Sequence, residues 1–227
     1  MPRFRFRKDR CRDMDINEML KMIDHTALKA YTTKSDITAL CEEAIEYQTA
    51  SVCIPASYVK FVKENYGERL TICTVIGFPL GYSTTAVKVY ETKDAIQNGA
   101  DEIDMVVNIG DVKNGDFHLV EEEIRQIKAA CKDKILKVIV ETCYLTEEEK
   151  VKLCKAVTAA GADFIKTSTG FGTKGATLSD IDLFRANIGE EVKIKAAGGI
   201  RTKEDFISFV ERGCDRIGAS ATKEFLK

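Results

Sequence analysis

The chain has 227 residues, 44% apolar and 31% charged, which fits one globular domain with a substantial core. No apolar run reaches the roughly 18 residues a membrane span needs, and no apolar segment at the N-terminus marks an export signal. The net charge of −2 is uneven: residues 1–13 carry +4, which leaves −6 for the rest, a mildly acidic body that argues against a nucleic-acid groove.

The first segment, MPRFRFRKDRCRD, is a basic arm over residues 1–13. It reads as a disordered leader or vector-derived residues ahead of a natural start at Met14. Its shortness and its two acids weigh against a transit peptide, a membrane tail or a nucleic-acid tail. From Met14 onward, helical and strand patterns alternate. INEMLKMID reads as a short leading helix and HTAL as a first strand. TTKSDITALCEEAIEYQ has apolar residues at helical spacing, followed by the strand SVCIP. SYVKFVKENYG is helical and closes on Gly67, a C-cap. LTICTVIGF is a continuous strand, and TTAVKVYETKDAIQNG a helix. EIDMVVNIG is a strand, FHLVEEEIRQIKAACKD a helix and ILKVIVET a strand. TEEEKVKLCKAVTAAG is helical, with Thr146 and Glu149 at capping-box spacing. FIKTST is a strand, TLSDIDLFRANIG a helix and KIKAAGG a strand. TKEDFISFVERG is a helix with Thr202 as its cap. RIGAS is the last strand and ATKEFLK a short final helix.

That makes eight strand–helix repeats, with strands that read as unbroken apolar runs, as in a parallel sheet covered by helices. A doubly wound open sheet would show fewer strands and a glycine loop after the first one. The loop after HTAL has no glycine. The expected fold is therefore α/β, a single-domain (β/α)8 TIM barrel over residues 14–227 with a short leading helix. The eight cysteines include no CxxC pair and no Cys/His cluster at zinc spacing. Most sit in apolar patterns, as small hydrophobes of a cytoplasmic protein.

In such a barrel, functional side chains lie at the C-terminal ends of the strands. The stretch FIKTSTGF places Lys166 in the middle of an apolar strand. Charged residues also interrupt strand four (Glu102, Asp104), strand five (Lys137, with Glu141 at its end) and strand seven (Lys193, Lys195). Strand alternation turns Ile165 and Ile194 toward the helices and Lys166 and Lys195 toward the interior. Lys193 reads as solvated at a strand end. Cations then outnumber the obvious carboxylate partner, Asp104, and burying unpaired cations is costly. One outcome is a buried ion-pair network without chemistry. The other is a reactive amine. A neighbouring cation and partial desolvation favour the neutral form of a lysine, which is a nucleophile toward carbonyls. Lys166 is then the nucleophile and Lys195 the perturbing cation. Asp104 keeps Lys195 charged and assists proton transfer. This chemistry makes or breaks a bond beside a carbonyl and calls for no metal or cofactor.

Glycines cluster on the same rim: Gly170 and Gly172 after strand six, Gly198 and Gly199 after strand seven, and Gly218 in strand eight, with Ser220 behind it. Barrels often bind phosphate there through backbone N–H groups. His25 reads as structural and His118 as a surface residue, since neither has a partner at ligand spacing.

At KTSTGF, KAAGGIRT, EIDMVVN, IDHTALK (residues 23–29) and TVIGFPLG (residues 74–81), the sequence resembles the 2-deoxyribose-5-phosphate aldolases, a class I family. The resemblance runs from about Ile16 to Ser220. It implies reversible cleavage of 2-deoxyribose 5-phosphate to acetaldehyde and glyceraldehyde 3-phosphate, without metal, in cytoplasmic deoxyribonucleoside catabolism. It casts Lys166 as the Schiff-base lysine, Lys195 as the second lysine that moves protons, and Asp104 as the acid–base aspartate. Gly170, Gly198, Gly199, Gly218 and Ser220 match positions lining the phosphate site, and Asp24 and Lys137 match polar residues beside the catalytic group. Expected partners are the phosphosugar and its aldehydes, with neither nucleic acid nor membrane, and a second copy of the chain as in dimeric members. Two features depart from the family pattern. Ser220-Ala221 stands where some members have adjacent serines, and Lys227 ends the sequence without the tyrosine some members carry. Proton transfer would then rest on Lys195, Asp104 and water. A transaldolase-like Schiff-base barrel and a non-catalytic phosphosugar-binding barrel are the alternatives.

Overall fold

The computed structural model describes residues 15–220 and 222–226; the basic arm, Met14, Ala221 and Lys227 lie outside the described residues. A short helix, α1 (Ile16–Leu20), leads into β1 (Ile23–Thr26), α2 (Lys34–Tyr47), β2 (Ser51–Ile54), α3 (Val59–Tyr66) and β3 (Ile72–Ile76). The chain continues through α4 (Thr85–Gln97), β4 (Glu102–Val106), α5 (Ile109–Asn114), α6 (Phe117–Cys131) and β5 (Ile135–Ile139). It finishes with α7 (Glu147–Ala159), β6 (Phe164–Lys166), α8 (Leu178–Asn187), β7 (Lys193–Ala197), α9 (Lys203–Glu211) and β8 (Arg216–Ala219). Each strand pairs in parallel with the next, and β8 closes on β1, so the sheet is a barrel with no free edge.

Strand alternation divides two environments. Ile23, Val52, Ile54, Ile72, Ile103, Met105, Val138, Ile165, Ile194 and Ile217 point outward into one continuous apolar layer shared with the helices. Helix residues such as Leu40, Val62, Ile124, Leu153, Phe184 and Phe206 fill the other side of that layer. Each such side chain contributes about 1.5–3 kcal/mol on burial, so the outer layer carries most of the stability. The polar interior can therefore be given over to function. The helices are set by local chemistry as well. Thr33 with Asp36, Thr146 with Glu149 and Thr202 with Asp205 form full capping boxes at the starts of α2, α7 and α9.

The structure departs from the sequence expectations in four places. Strand β1 is Ile23–Thr26 rather than HTAL, because pairing with β8 and β2 engages Ile23, Asp24, His25 and Thr26. The end of EIDMVVNIG, expected to be strand, and the unassigned DVKNG after it form α5: the Asn108 side chain accepts from Gly110 N–H at its start, and Gly115 ends it at φ 82°. Strand β6 is only Phe164–Lys166, so Ser168 lies beyond its end. The final ATKEFLK segment forms a 3-10 turn over Thr222–Leu226 instead of an α-helix.

His25 is buried on the outward face of β1, with Nε2 3.1 Å from Glu43 Oε2 and Nδ1 2.8 Å from Thr222 Oγ1. It ties the barrel to α2 and to the last turn, and its role is structural. His118 is exposed. Cys41, Cys131 and Cys154 are buried in the outer apolar layer.

Candidate active site

Closure of the barrel brings distant strands to one level. Lys166 and Lys195 are register partners on β6 and β7, and Lys137 is the partner of Asp104 across β5 and β4. Lys195 also pairs in register with Arg216 of β8, and Asp24 of β1 with Gly218 and Ser51. All of these side chains occupy inward positions, so the sheet aims them at one another.

The Nζ atoms of Lys166 and Lys195 each donate to the same oxygen, Asp104 Oδ2, at 2.7 Å. The two nitrogens are thus no further apart than twice that distance. Lys137 Nζ donates to Asp104 Oδ1 at 2.8 Å and lies 2.6 Å from Glu102 Oε2. Lys195 also pairs with Asp24 Oδ2, and Arg216 bridges Asp24 Oδ1 and Glu102 Oε1. Ser51 Oγ donates to Asp24 Oδ1 at 2.7 Å. Asp24, Asp104, Lys137 and Lys195 are fully buried, and Lys166 is 3% exposed. Within this network four cationic side chains, Lys137, Lys166, Lys195 and Arg216, face three carboxylates, Asp24, Glu102 and Asp104. One amine is in excess. Lys166 has the fewest carboxylate contacts: it pairs with Asp104 alone, whereas Lys195 has two partners and Lys137 three.

Burial opposes every charge here, and the partners outweigh it. Burial would raise the Asp104 pKa, yet Lys137, Lys166 and Lys195 hold it well below the ordinary carboxylate range. Asp24 is lowered likewise against burial, by Lys195, Lys137 and Arg216. Burial would discharge Lys195, but Asp104 and Asp24 raise its pKa above the usual lysine value, so it is a persistent ammonium. Lys137 is raised in the same way, chiefly by Asp104 against burial. In this resting arrangement Asp104 is a carboxylate anchor for three amines.

Above the network lies the rim. Glu141 follows β5 with a left-handed backbone, φ 54°, a conformation that non-glycine residues rarely adopt. Its buried carboxylate accepts the Thr169 N–H at 3.2 Å and the Thr169 hydroxyl, which fixes the segment after Lys166. Burial pushes the Glu141 pKa up, while the Thr169 hydrogen bonds oppose the rise. Ser168 Oγ is buried beside this segment and has no hydrogen-bond partner among the described residues. Gly198, at φ 85°, sits against Gly175 and Gly170; a Cβ there would lie 3.0 Å from Gly175 Cα. Gly218 has a different requirement, because its Cβ would lie 3.0 Å from Ala197 Cβ and 3.3 Å from Lys195 Cε. Gly170 and Gly199 both have left-handed φ, and Ser220 is exposed. Gly172 instead packs beside Cys143 and Glu141. At the start of α9, the Thr202 hydroxyl takes the Asp205 N–H at 3.1 Å. The backbone around Gly198 and Gly199 is thus the less committed source of donors.

The structure unites Asp24, Asp104, Lys137, Lys166 and Lys195 as one network, and it leaves Lys193 exposed at the foot of β7. Sequence reasoning noted Glu102 without giving it a place, and it passed over Ser51, Cys73 and Arg216. Parity offered a signal for two of them: Glu102 is two residues from Asp104 on β4, and Arg216 two from Gly218 on β8. Among the described residues, two groups have ligand atoms within 4.8 Å of one another, Cys53 with Cys73 and Asp104, and Asp24 with Cys73 and Glu102. Ammonium groups already occupy the carboxylates of both, so an incoming cation would have to displace them.

Residues 18–222 match the family model described as DeoC/LacD family aldolase. The chain belongs to this family. A family relative from Clostridium botulinum (strain Alaska E43 / Type E3), named deoxyribose-phosphate aldolase, is 60% identical over 214 residues, covering 94% of this chain and 97% of its own. One of the same name from Streptococcus pyogenes serotype M28 (strain MGAS6180) is 59% identical over 214 residues, covering 94% and 96%. The solved deoxyribose phosphate aldolase of Aeropyrum pernix, described as having a unique tetrameric structure, superposes with a TM-score of 0.90 at 28% identity, covering 100% of this chain and 97% of its own. As a DeoC/LacD family aldolase, the chain carries Lys137 and Lys195 at the middle of β5 and β7 and Lys166 at the last position of β6. No helix among the described residues is long and apolar enough to cross a membrane.

Proposed function

We propose that the chain catalyses the reversible cleavage of 2-deoxy-D-ribose 5-phosphate to acetaldehyde and D-glyceraldehyde 3-phosphate through a Schiff base on Lys166. The observation that carries this is the sharing of one buried Asp104 oxygen by Lys166 and Lys195, each at 2.7 Å. A primary amine attacks a carbonyl only as the free base. With Lys166 neutral, three cations face three carboxylates, so the nucleophilic form is also the form in which the network's charges balance.

The neutral amine adds to C1 of the open-chain sugar, and loss of water gives an iminium. The iminium draws electrons from the C2–C3 bond as the C3 hydroxyl gives up its proton. Glyceraldehyde 3-phosphate leaves, and an enamine remains on Lys166. Protonation at C2 and hydrolysis then release acetaldehyde and restore the amine. Lys195 is the persistent ammonium beside Lys166 and the source of protons for these steps. Asp104 anchors both nitrogens and takes up charge as the iminium forms and decays. Lys137 and Asp24 hold Asp104 and Lys195 in place. The backbone at Gly170, Gly198, Gly199 and Gly218, together with Ser220, takes the phosphate. Ser168 Oγ, buried without a hydrogen-bond partner among the described residues, is placed to meet a substrate oxygen. No step calls for a metal or an organic cofactor.

Such a reaction belongs to deoxyribonucleoside breakdown in the cytoplasm. A homodimeric state accords with the exposed apolar residues Val87 and Tyr90 on α4 and Leu119 on α6. The test is direct: the purified chain should form both aldehydes from 2-deoxyribose 5-phosphate, and Lys166→Leu should abolish turnover while phosphate binding remains detectable. Normal turnover by Lys166→Leu would rule the mechanism out.

A further inference from the structure

The mechanism proposed above uses the β4–β8 and β1 sides of the barrel interior and leaves one pair of reactive groups idle. Cys53 on β2 and Cys73 on β3 are register partners, both fully buried. Their neighbours in sequence, Val52, Ile54 and Ile72, face the helices. The two cysteines instead share an inner cluster with Val75 and with the partly buried Leu28 and Phe78. Register partners on neighbouring strands lie about 4.8 Å apart at Cα, inside the span of roughly 4.4–6.8 Å that a disulfide bridges. The two sulfurs lie within 4.8 Å of each other and of the Asp104 carboxylate. Cys73 Sγ is 3.1 Å from Asp104 Oδ1 and 3.2 Å from Lys137 Nζ, so it touches the group that anchors both reactive lysines.

We propose that Cys53 and Cys73 are a modification site: a hydroperoxide oxidises them to an intrachain disulfide inside the barrel, which shuts the lysine site off reversibly. In the first step the Cys53 sulfur attacks one peroxide oxygen, the O–O bond breaks, and the released hydroxide takes a proton to become water. In the second, Cys73 attacks the sulfur of the resulting sulfenic acid. An S–S bond forms, the S–O bond breaks, and the Cys73 proton leaves with the hydroxyl as a second water. Two thiols are oxidised, and one peroxide is reduced to two waters.

The environment assigns the order of attack. The hydrogen bond from Cys73 and the Lys195 charge together hold the Cys53 pKa below that of an ordinary thiol, although burial opposes them. Burial and the bond to Cys53 push Cys73 well above its ordinary value, so it stays a thiol until it resolves the sulfenic acid. Oxidation removes the one Cys73 S–H, which the Asp104 Oδ1 oxygen and the Cys53 sulfur share, and draws the Cys73 sulfur toward β2. Asp104 loses one of its four donors, and Lys137 loses its sulfur contact.

The test uses the full chain and hydrogen peroxide. Peptide mapping without reduction should find the peptides containing Cys53 and Cys73 joined and two hydrogens lighter than the free pair. The retro-aldol rate should fall by most of its value, and dithiothreitol should restore it. In Cys53→Ser, normalised to its own untreated rate, the dithiothreitol-reversible part of the loss should vanish, and in Cys73→Ser no joined peptide should form, oxidation stopping at the Cys53 sulfenic acid. Absence of the joined peptides overturns the proposal, as does a joined pair with an unchanged rate. So does a reversible loss of the same size in Cys53→Ser. The switch rests on the aldolase assignment only for its rate readout. The joined peptides are scored without any turnover, so failure of the disulfide and failure of the catalytic assignment give different results.

Discussion

Replacing Asp104 with Asn keeps the shape of the side chain and removes the charge on which the lysines converge. In the parent chain that carboxylate accepts from Lys137 at 2.8 Å and from Lys166 and Lys195 at 2.7 Å each. In Asp104→Asn, four cationic groups would face only Asp24 and Glu102. The amide nitrogen would also present donors to groups that are themselves donors. Removing one partner of a buried ion pair costs about 3–5 kcal/mol, because the other charge is left uncompensated. For a chain of this length each kcal/mol shifts Tm by about 2–4 °C, so the expected loss is roughly 6–20 °C. Thermal unfolding at pH 7 followed by circular dichroism reads it. The pH dependence supplies the sign. The Asp104 pKa is held below its unfolded value, so its stabilising contribution is fully present above about pH 3.9 and is lost as pH falls below that. The gap in Tm between parent and variant should therefore narrow in acid. A drop of less than about 3 °C at pH 7, or a gap that widens in acid, would refute the reasoning from a shared anchor.

Two further substitutions probe the same network. Lys195→Met removes the persistent ammonium without removing the nucleophile; kcat for retro-aldol cleavage should fall by about 10²–10⁴ with a much smaller change in KM, and a loss below threefold would remove Lys195 from the proton path. Gly218→Ala places a methyl 3.3 Å from Lys195 Cε and 3.0 Å from Ala197 Cβ, so Lys195 must shift by a fraction of an ångström. A drop of roughly tenfold in kcat follows, against the 10² typical of a full 1 Å displacement. Steady-state kinetics decide it, and an unchanged kcat would mean that the lysine tolerates the shift.

Much of the fold was legible because its causes are local. Apolar runs marked eight strands, and capping residues at Thr146 and Thr202 marked two helix starts. The inward aim of Lys166 and Lys195 followed from strand alternation, with Asp104 as their obvious carboxylate partner, and the family resemblance added Lys137 beside them. What was missed depends on closure or on tertiary contact. Arg216 matters only because β8 returns to β1 and brings it to Asp24, some 190 positions away in sequence. Lys88 reads as an ordinary polar position of α4. It is fully buried, donating to Glu123 at 2.8 Å and to the carbonyl of Val106 at 2.9 Å, where it braces the end of β4. Helix α5 hid in a stretch with two glycines and two asparagines, residues that usually signal turns; here Asn108 and Gly115 cap it, and Gly110 and Asn114 lie within it. The left-handed Glu141 has no sequence signal at all, since neither of its neighbours is a turn former.

The most direct measurement is chemical trapping. The chain is incubated with acetaldehyde, reduced with borohydride, digested and mapped. The account predicts one reduced adduct, on the peptide bearing Lys166, and none on that peptide in Lys166→Leu. An adduct on Lys137 or Lys195 in its place, or no adduct on any lysine, would contradict it.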